Sequence, residues 1–147
     1  MWLIAIVFFH LILLTSTTFT LWPEMAVYPY LMNNGFLLYK DIINPYPPYL
    51  SLFLSFFTKT FGYLPISFEI LTLLFIFTID YLIYTFSRKI FQSKSAAIIN
   101  TAFFALFSIP FGINGLWFDL IQTPFILISV YLLQWIRCCD FAAHADE

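Results

Sequence analysis

Charged residues are scarce in this chain. They make up 10% of its 147 residues, whereas an ordinary soluble domain carries roughly a quarter. The scarcity of charge excludes a disordered protein, because disorder needs low hydrophobicity and high charge. Six Lys and Arg against eight Asp and Glu leave no basic field that could attract nucleic acid. We therefore expect no nucleic-acid partner.

Cysteine is nearly absent as well. The two cysteines, Cys138 and Cys139, are neighbours, and no CxxC or Cys/His spacing typical of a metal site is present. Two interpretations stay open: unpaired thiols near a helix end, or lipidation of a juxtamembrane cysteine. The chain also has no N-x-S/T sequon, so glycosylation gives no clue to its topology.

Hydrophobic residues dominate what is there. They form 62% of the chain, aromatic residues form 22%, and the mean hydropathy is +0.90. A domain of this size cannot hide so much apolar surface from water, and a bilayer core needs about 20 apolar residues per helix. The sequence predicts an all-α, polytopic membrane protein with four transmembrane spans. The predicted spans are 2–21, 65–86, 96–113 and 116–136, followed by a polar, disordered tail at 137–147.

The first apolar run could instead be a signal peptide. No basic segment precedes it, and the Ser/Thr-rich stretch at its end is a poor cleavage site. We therefore expect an uncleaved first span.

Basic residues set the expected orientation. Arg88, Lys89 and Lys94 lie between the second and third spans, and Arg137 follows the fourth. Placing these on the cytoplasmic side puts both termini in the cytoplasm and makes 22–64 one long external loop of a cell-membrane protein.

This orientation requires that the apolar stretch 46–61 does not cross the membrane. On a helix, Ser51, Ser55, Thr58 and Lys59 would form one polar stripe, with apolar residues on the other faces. The pattern favours an amphipathic helix lying in the membrane interface. A spanning helix is the alternative, and it would move the basic loop outside.

The acidic residues separate by side under this topology. Glu24, Asp41, Glu69 and Asp119 fall at the outer face, whereas Asp80 lies deep in the second span. Acids that converge at one surface could bind a cation or a metal, or serve as a general base. Simple solvation of each outer acid is the alternative, and for Asp80 it is a polar packing contact inside the bundle.

The external loop alternates aromatic residues, prolines and carboxylates. Tyr and Trp rings beside carboxylates are typical of sugar sites, because the rings stack on the apolar faces of pyranoses. The same residues also serve as plain interfacial anchors. Asn34-Gly35 is expected to end a short helix that starts near Glu24, and Pro48 to start the amphipathic helix.

The order of motifs along residues 1–136 resembles the N-terminal portion of GT-C membrane glycosyltransferases, of the protein-mannosyltransferase and lipid A aminoarabinose-transferase type. The motifs are an acid after the first span, a Gly-x-x-x-Tyr-Lys-Asp segment, a Pro-Pro pair that opens an apolar helix, and a Phe-Gly pair after that helix. A basic inner loop and an Asp opening the fourth span complete the set. They correspond to Glu24, Gly35, Tyr39-Lys40-Asp41, Pro47-Pro48, Phe61-Gly62, Ser87-Arg88-Lys89 and Asp119.

The resemblance implies the helical GT-C membrane fold and transfer of a sugar from a polyprenyl-phosphate donor to an acceptor at the outer face. It implies that Glu24 is the catalytic base. It also implies that Asp119 is a second catalytic carboxylate, which in some family members lies near a divalent metal. The substrate-binding residues would be Tyr39, Lys40, Asp41 and Tyr46. Family members are much longer, so we expect a fragment that works with a C-terminal part or another membrane subunit.

Two other functions stay open at this stage. A small non-enzymatic membrane subunit or scaffold would use Asp80 for helix pairing and leave the outer acids solvated. A small transporter would also explain Asp80, but the chain lacks the broken helices or repeats typical of transporters.

Overall fold

The chain folds into a mostly helical protein. The computed structural model describes the backbone of residues 2–108 and 114–144, and the side chains of these ranges up to Leu133. Six helices lie in these ranges: α1 (Trp2–Thr15), α2 (Pro23–Asn33), α3 (Pro48–Phe61), α4 (Pro65–Phe91), α5 (Lys94–Ser108) and α6 (Phe118–His144). Two short strands, β1 (Thr20–Leu21) and β2 (Gly115–Leu116), pair in parallel.

The long helices form a bundle. α4 packs against α1, α5 and α6, and α1 also packs against α5. Leu14 of α1, Ile76 and Ile79 of α4, and Leu120 of α6 share one buried apolar cluster. Because His10 meets Asp80 while Leu14 lies near Ile76, α1 and α4 run antiparallel.

The predicted external loop forms a cap over one end of this bundle. α2 and α3 pack against each other. Met25 of α2, together with Leu50 and Leu54 of α3, is buried against the first turns of α4 and the start of α6. The cap buries apolar side chains that would otherwise be exposed, which is the main driving force for such packing.

Several helix ends differ from the predicted span boundaries. α1 ends at Thr15, six residues before the predicted end, because the hydroxyls of Thr15, Ser16 and Thr17 bond back to carbonyls of its last turns. α4 continues to Phe91 and ends at Gln92, whose φ is +49°. The end of the predicted third span, 109–113, lies outside the described residues.

The predicted disordered tail was also wrong over most of its length. α6 starts at Phe118 and continues to His144. Residues 137–144 contain no Gly or Pro, and Ala142 and Ala143 favour helix, so nothing in this stretch ends the helix. Residues 145–147 lie outside the described part.

α3 confirms the predicted helix at 46–61, with Pro48 in its first turn. The predicted polar stripe is divided in the structure, since Lys59 is exposed, Ser55 is half-buried and the other two residues are buried. Ser51 and Thr58 are buried, because Asn44 and Asn33 donate hydrogen bonds to their hydroxyls. The exposed face of α3 instead carries Leu52, Phe53 and Phe56.

The helix lengths bear directly on the predicted spans. Among the described residues, α4 is the one helix long and apolar enough to cross a membrane by length and composition. α1, α5 and the stretch Phe118–Leu133 of α6 are apolar but shorter.

One side chain ties the end of α1 to the start of β2. The amide nitrogen Nδ2 of Asn114 donates to the Leu14 carbonyl at 2.9 Å and to the Thr17 hydroxyl at 2.8 Å. The backbone carbonyl of Asn114 accepts from the Thr20 amide at 3.0 Å. Asn114 is almost fully buried, and its amide also donates to the Thr17 carbonyl at 3.1 Å, so one side chain holds the residues that follow α1 against β2.

We predict that Asn114→Ala destabilises the chain by about 1–3 kcal/mol, because it removes the side-chain hydrogen bonds from Asn114 to Leu14 and Thr17. The measurement is equilibrium unfolding of the chain in a mild detergent. Asn34→Ala is the matched control, since the exposed Asn34 side chain bonds only to Tyr30 of its own helix. Equal stability of the two variants would contradict the assigned role of Asn114.

Candidate functional site at the capped end

The parallel pairing of β1 and β2 brings two distant chain segments together. Thr20 lies opposite Gly115, and Leu21 lies opposite Leu116. A Cβ atom at residue 115 would sit 2.8 Å from the Thr20 carbonyl oxygen, so glycine permits this close approach. Each strand leads directly into a helix, α2 or α6.

The two strands are followed by the same short motif. Leu21-Trp22-Pro23-Glu24 and Leu116-Trp117-Phe118-Asp119 share the pattern Leu-Trp-x-acid. The strand register places Glu24 and Asp119 at the same distance beyond their paired leucines. Each carboxylate therefore lies in the first turn of a helix, where the helix dipole stabilises negative charge.

Both carboxylates line one cavity of about 270 Å³. Its walls come from the two tryptophans that follow β1 and β2, from the first turns of α2 and α6, and from the loop before α3. The lining residues are Trp22, Glu24, Met25, Tyr46, Trp117, Phe118 and Asp119. Glu24 is half-buried, whereas Asp119 is exposed, and within the described ranges neither carboxylate has a hydrogen-bond partner. Both remain available to a ligand.

Of the four residues predicted to bind substrate, Tyr46 lines the cavity. Its ring stacks on Phe118 with 3.6 Å between centroids and 18° between planes. Tyr39 is not among the residues that line the cavity, but its hydroxyl donates a hydrogen bond to the backbone carbonyl of Tyr46. Tyr39 has a φ of +68°, a left-handed conformation that sets the bend of this loop.

Lys40 and Asp41 do not line the cavity. Both side chains are exposed, and the Asp41 carboxylate accepts a hydrogen bond from the Leu37 amide at 2.8 Å. This bond closes a turn, so Asp41 shapes the loop that carries Tyr39. Glu69, the remaining acid predicted at the outer face, is half-buried on α4 and is not among the residues that line the cavity.

Tyr28 reports the electrostatics of the site. Burial raises the pKa of its phenol above the usual value, and the nearby Glu24 carboxylate and Tyr46 raise it further. Tyr28 lies one helical turn after Glu24 on α2, so a negative charge at Glu24 opposes phenolate formation.

Asp80 takes no part in this cavity. Its Oδ2 atom lies 2.8 Å from Nδ1 of His10, and both side chains are fully buried inside the bundle. This contact agrees with the packing alternative for Asp80. His10 was not predicted from the sequence as a partner of Asp80. The available signal was that both residues interrupt otherwise apolar runs of neighbouring predicted spans.

An apolar groove of about 670 Å³ begins beside the cavity and runs between α3 and α6. Tyr46 of the cavity and Tyr49 of the groove lie three residues apart in sequence, as do Phe118 of the cavity and Ile121 of the groove. The groove is lined by Tyr49, Leu50, Phe53, Phe75, Ile121, Gln122, Phe125, Ile126, Ser129, Val130 and Leu133.

The donor atoms at the cavity suit a hard cation. No group of three or more His, Cys, Asp or Glu side chains that could hold a metal occurs among the described residues. Mg²⁺ is often held by one or two carboxylates, with waters and substrate phosphate completing its shell. Asp119 and Glu24 could serve as such carboxylate ligands, but they do not form a complete metal site made of protein groups alone.

No protein-family model, curated protein or solved structure matches this chain. The motif resemblance to GT-C glycosyltransferases therefore stays a resemblance, and the geometry described above has to carry any functional argument.

We predict that Glu24→Gln lowers the pKa of Tyr28 toward its usual value, because the neutral amide no longer opposes phenolate formation. Burial still raises the pKa, so the return is partial. The Tyr28 titration is obtained by ultraviolet difference spectra between chains with and without Tyr28→Phe. Asp41→Asn should leave the titration unchanged, and an equal effect of both variants would contradict the assignment.

Proposed function

We propose that this chain is a polytopic membrane protein whose outer face carries a glycosyl-transfer site. The site would transfer a sugar from a polyprenyl-phosphate donor to an acceptor hydroxyl. The observation that carries the proposal is that Glu24 and Asp119, 95 positions apart in sequence, line one aromatic-walled cavity that opens beside a long apolar groove.

The surface of the bundle supports the membrane part of the proposal. Large apolar side chains are exposed along α1, α5 and α6, whereas soluble monomers rarely expose extensive apolar patches. The residues include Ile4, Phe8, Ile12, Ile99, Phe103, Leu106, Phe125, Ile126, Leu132 and Leu133. A lipid environment would cover these faces, with both chain termini in the cytoplasm.

The cavity offers the groups that sugar transfer requires. The Glu24 carboxylate would accept the proton of the acceptor hydroxyl while that oxygen bonds to the anomeric carbon of the sugar. The bond between the anomeric carbon and the donor phosphate oxygen breaks, and the phosphate leaves with the electron pair. Trp22, Trp117 and Tyr46 supply aromatic faces on which a pyranose can stack.

The leaving phosphate needs positive charge, and no Lys or Arg is among the residues that line the cavity. The amino ends of α2 and α6 supply partial positive charge. A divalent cation held by Asp119 would supply more by neutralising charge on the leaving group.

The apolar groove supports a lipid-linked donor. Its lining is hydrocarbon and aromatic apart from Gln122, Ser129 and the Tyr49 hydroxyl. An isoprenoid chain seated between α3 and α6 would place its phosphate at the cavity end, near Asp119. The cap of α2 and α3 would thus hold the donor at the membrane surface.

The proposed sidedness predicts a labelling pattern. With Cys138 and Cys139 replaced by serine, an impermeant thiol reagent added outside intact cells should label Asn34→Cys and leave Ser95→Cys unlabelled. Both positions are exposed, so burial does not produce the difference. Labelling of position 95 from outside would contradict the topology.

The proposed base predicts a loss of transfer. Glu24→Gln keeps size and hydrogen-bonding shape but cannot take a proton, so transfer should fall about 10²- to 10⁴-fold. The assay follows a radiolabelled sugar from polyprenyl phosphate to membrane acceptors, using the chain together with any continuation of its reading frame.

Asp41→Asn is the matched control, because Asp41 is acidic and lies in the same loop but outside the cavity. We expect it to retain most of the transfer. Activity of Glu24→Gln within threefold of wild type would remove Glu24 from the mechanism.

A non-enzymatic membrane subunit or scaffold is the second candidate. The observation that favours it is the absence of any basic side chain among the residues lining the cavity. Lack of transfer by the wild-type chain, with and without added Mg²⁺, would favour this candidate.

A further inference from the structure

Three helices of the bundle meet at one buried polar cluster. His10 of α1 lies between Asp80 of α4 and Ser108 of α5, with 2.8 Å from Nδ1 to Asp80 Oδ2 and 2.8 Å from Nε2 to Ser108 Oγ. All three side chains have no exposed surface. The glycosyl-transfer proposal does not use this cluster, which lies in the bundle and away from the outer cavity.

The hydrogen bonds fix how many protons the cluster holds. The Ser108 hydroxyl donates its single hydrogen to the Ala105 carbonyl at 2.8 Å. Nε2 of His10 must then donate to Ser108 Oγ. The 2.8 Å contact between Nδ1 and Asp80 Oδ2 needs one more proton between its two atoms. With these two protons the cluster is electrically neutral.

Any other proton count leaves a net charge in apolar surroundings. Removing the shared proton leaves −1, and adding another gives +1, and either charge is costly to bury. The surroundings offer little relief. The second oxygen of Asp80 is buried without a partner among the described residues, and the edge contact of the His10 ring is with Phe104.

The helices that surround the cluster carry few other ionisable groups, of which Tyr81 adjoins Asp80 in sequence and is 58% exposed. No other described residue of α1 is ionisable, and α5 carries Lys94 at its opposite end. On α4, Tyr84 follows Asp80 by one turn. On α6, Asp119 lines the outer cavity, and Tyr131 lies against Phe86 and Lys89.

We propose that His10, Asp80 and Ser108 form a buried one-proton site that makes the docking of α1 onto α4 and α5 weaken as the pH rises above about 6.5. The released state is the chain unfolded in detergent solution, where α1 no longer covers either ionisable group and water reaches both. An exposed histidine loses its proton near pH 6.5 and an exposed aspartate near pH 3.9, as typical reference values.

The direction of the effect follows from the two proton counts. Between about pH 3.9 and 6.5 the docked and released states bind the same number of protons, so docking is independent of pH. Above about 6.5 the released state holds fewer protons, so release is favoured up to tenfold per pH unit. Below about 3.9 the released state holds more protons, and docking weakens again.

The test compares wild type with the double variant His10→Gln/Asp80→Asn, which keeps a hydrogen-bonding pair but removes both titrating groups. Equilibrium unfolding of the full chain in non-ionic detergent gives the folded-to-unfolded ratio at each pH. From pH 6.5 to 8.5, the ratio should fall up to about 100-fold more in wild type than in the double variant. The same pH dependence in both chains would overturn the proposal.

Two further measurements make the result specific. The single variant His144→Gln removes the other histidine and should keep the wild-type pH dependence. If this variant loses the pH dependence, the effect belongs to His144 and the proposal is overturned. In that background, ¹⁵N spectra of His10 should show Nε2 protonated from pH 5 to 8. A titration midpoint near 6.5 with loss of the Nε2 proton would overturn the proposal even if the double variant does not fold.

Discussion

The parallel pairing of residues 20–21 with 115–116 is the constraint on which the arrangement of the site depends. It joins the end of α1 to the start of α6 across the top of the bundle, and Asn114 reinforces it by bonding to Leu14 and Thr17. Because both strands continue directly into helices, the pairing also fixes where α2 and α6 begin. The two Leu-Trp-x-acid segments then converge without any contact between their carboxylates.

The cap formed by α2 and α3 gives this end of the molecule two different surfaces. One is the small cavity with two carboxylates and aromatic walls, and the other is the apolar groove between α3 and α6. A ligand with a polar head and a hydrocarbon tail would occupy both at once. This combination is why a lipid-linked sugar is the proposed donor, since a soluble sugar nucleotide would leave the groove empty.

The helices could be predicted from the sequence because long apolar runs have few alternatives to helix in a chain this hydrophobic. Their ends could not, because hydrogen bonds from Thr15, Ser16 and Thr17 to nearby carbonyls end α1 within an apolar run. Asp119 and Glu24 were placed together by side and by motif order, but the register that aligns them arises from pairing across 95 residues.

Other contacts depended on partners that one sequence does not reveal. The polar stripe of α3 led to the prediction of an interfacial helix, yet Asn33 and Asn44 bond to two of its hydroxyls from outside the helix. The pairing of His10 with Asp80 requires knowing that α1 and α4 are neighbours and antiparallel. Periodicity within one segment carries no information about either contact.

The central claim is that Glu24 and Asp119 share a cavity at the outer face, and cross-linking tests it most directly. A short, impermeant bifunctional thiol reagent is added outside intact cells to a chain with Glu24→Cys and Asp119→Cys in the background without native cysteines. The account predicts an intramolecular link, and no link in the matched pair Asp41→Cys and Asp119→Cys. Absence of the Glu24–Asp119 link, or its formation only after the membrane is permeabilised, would contradict the account.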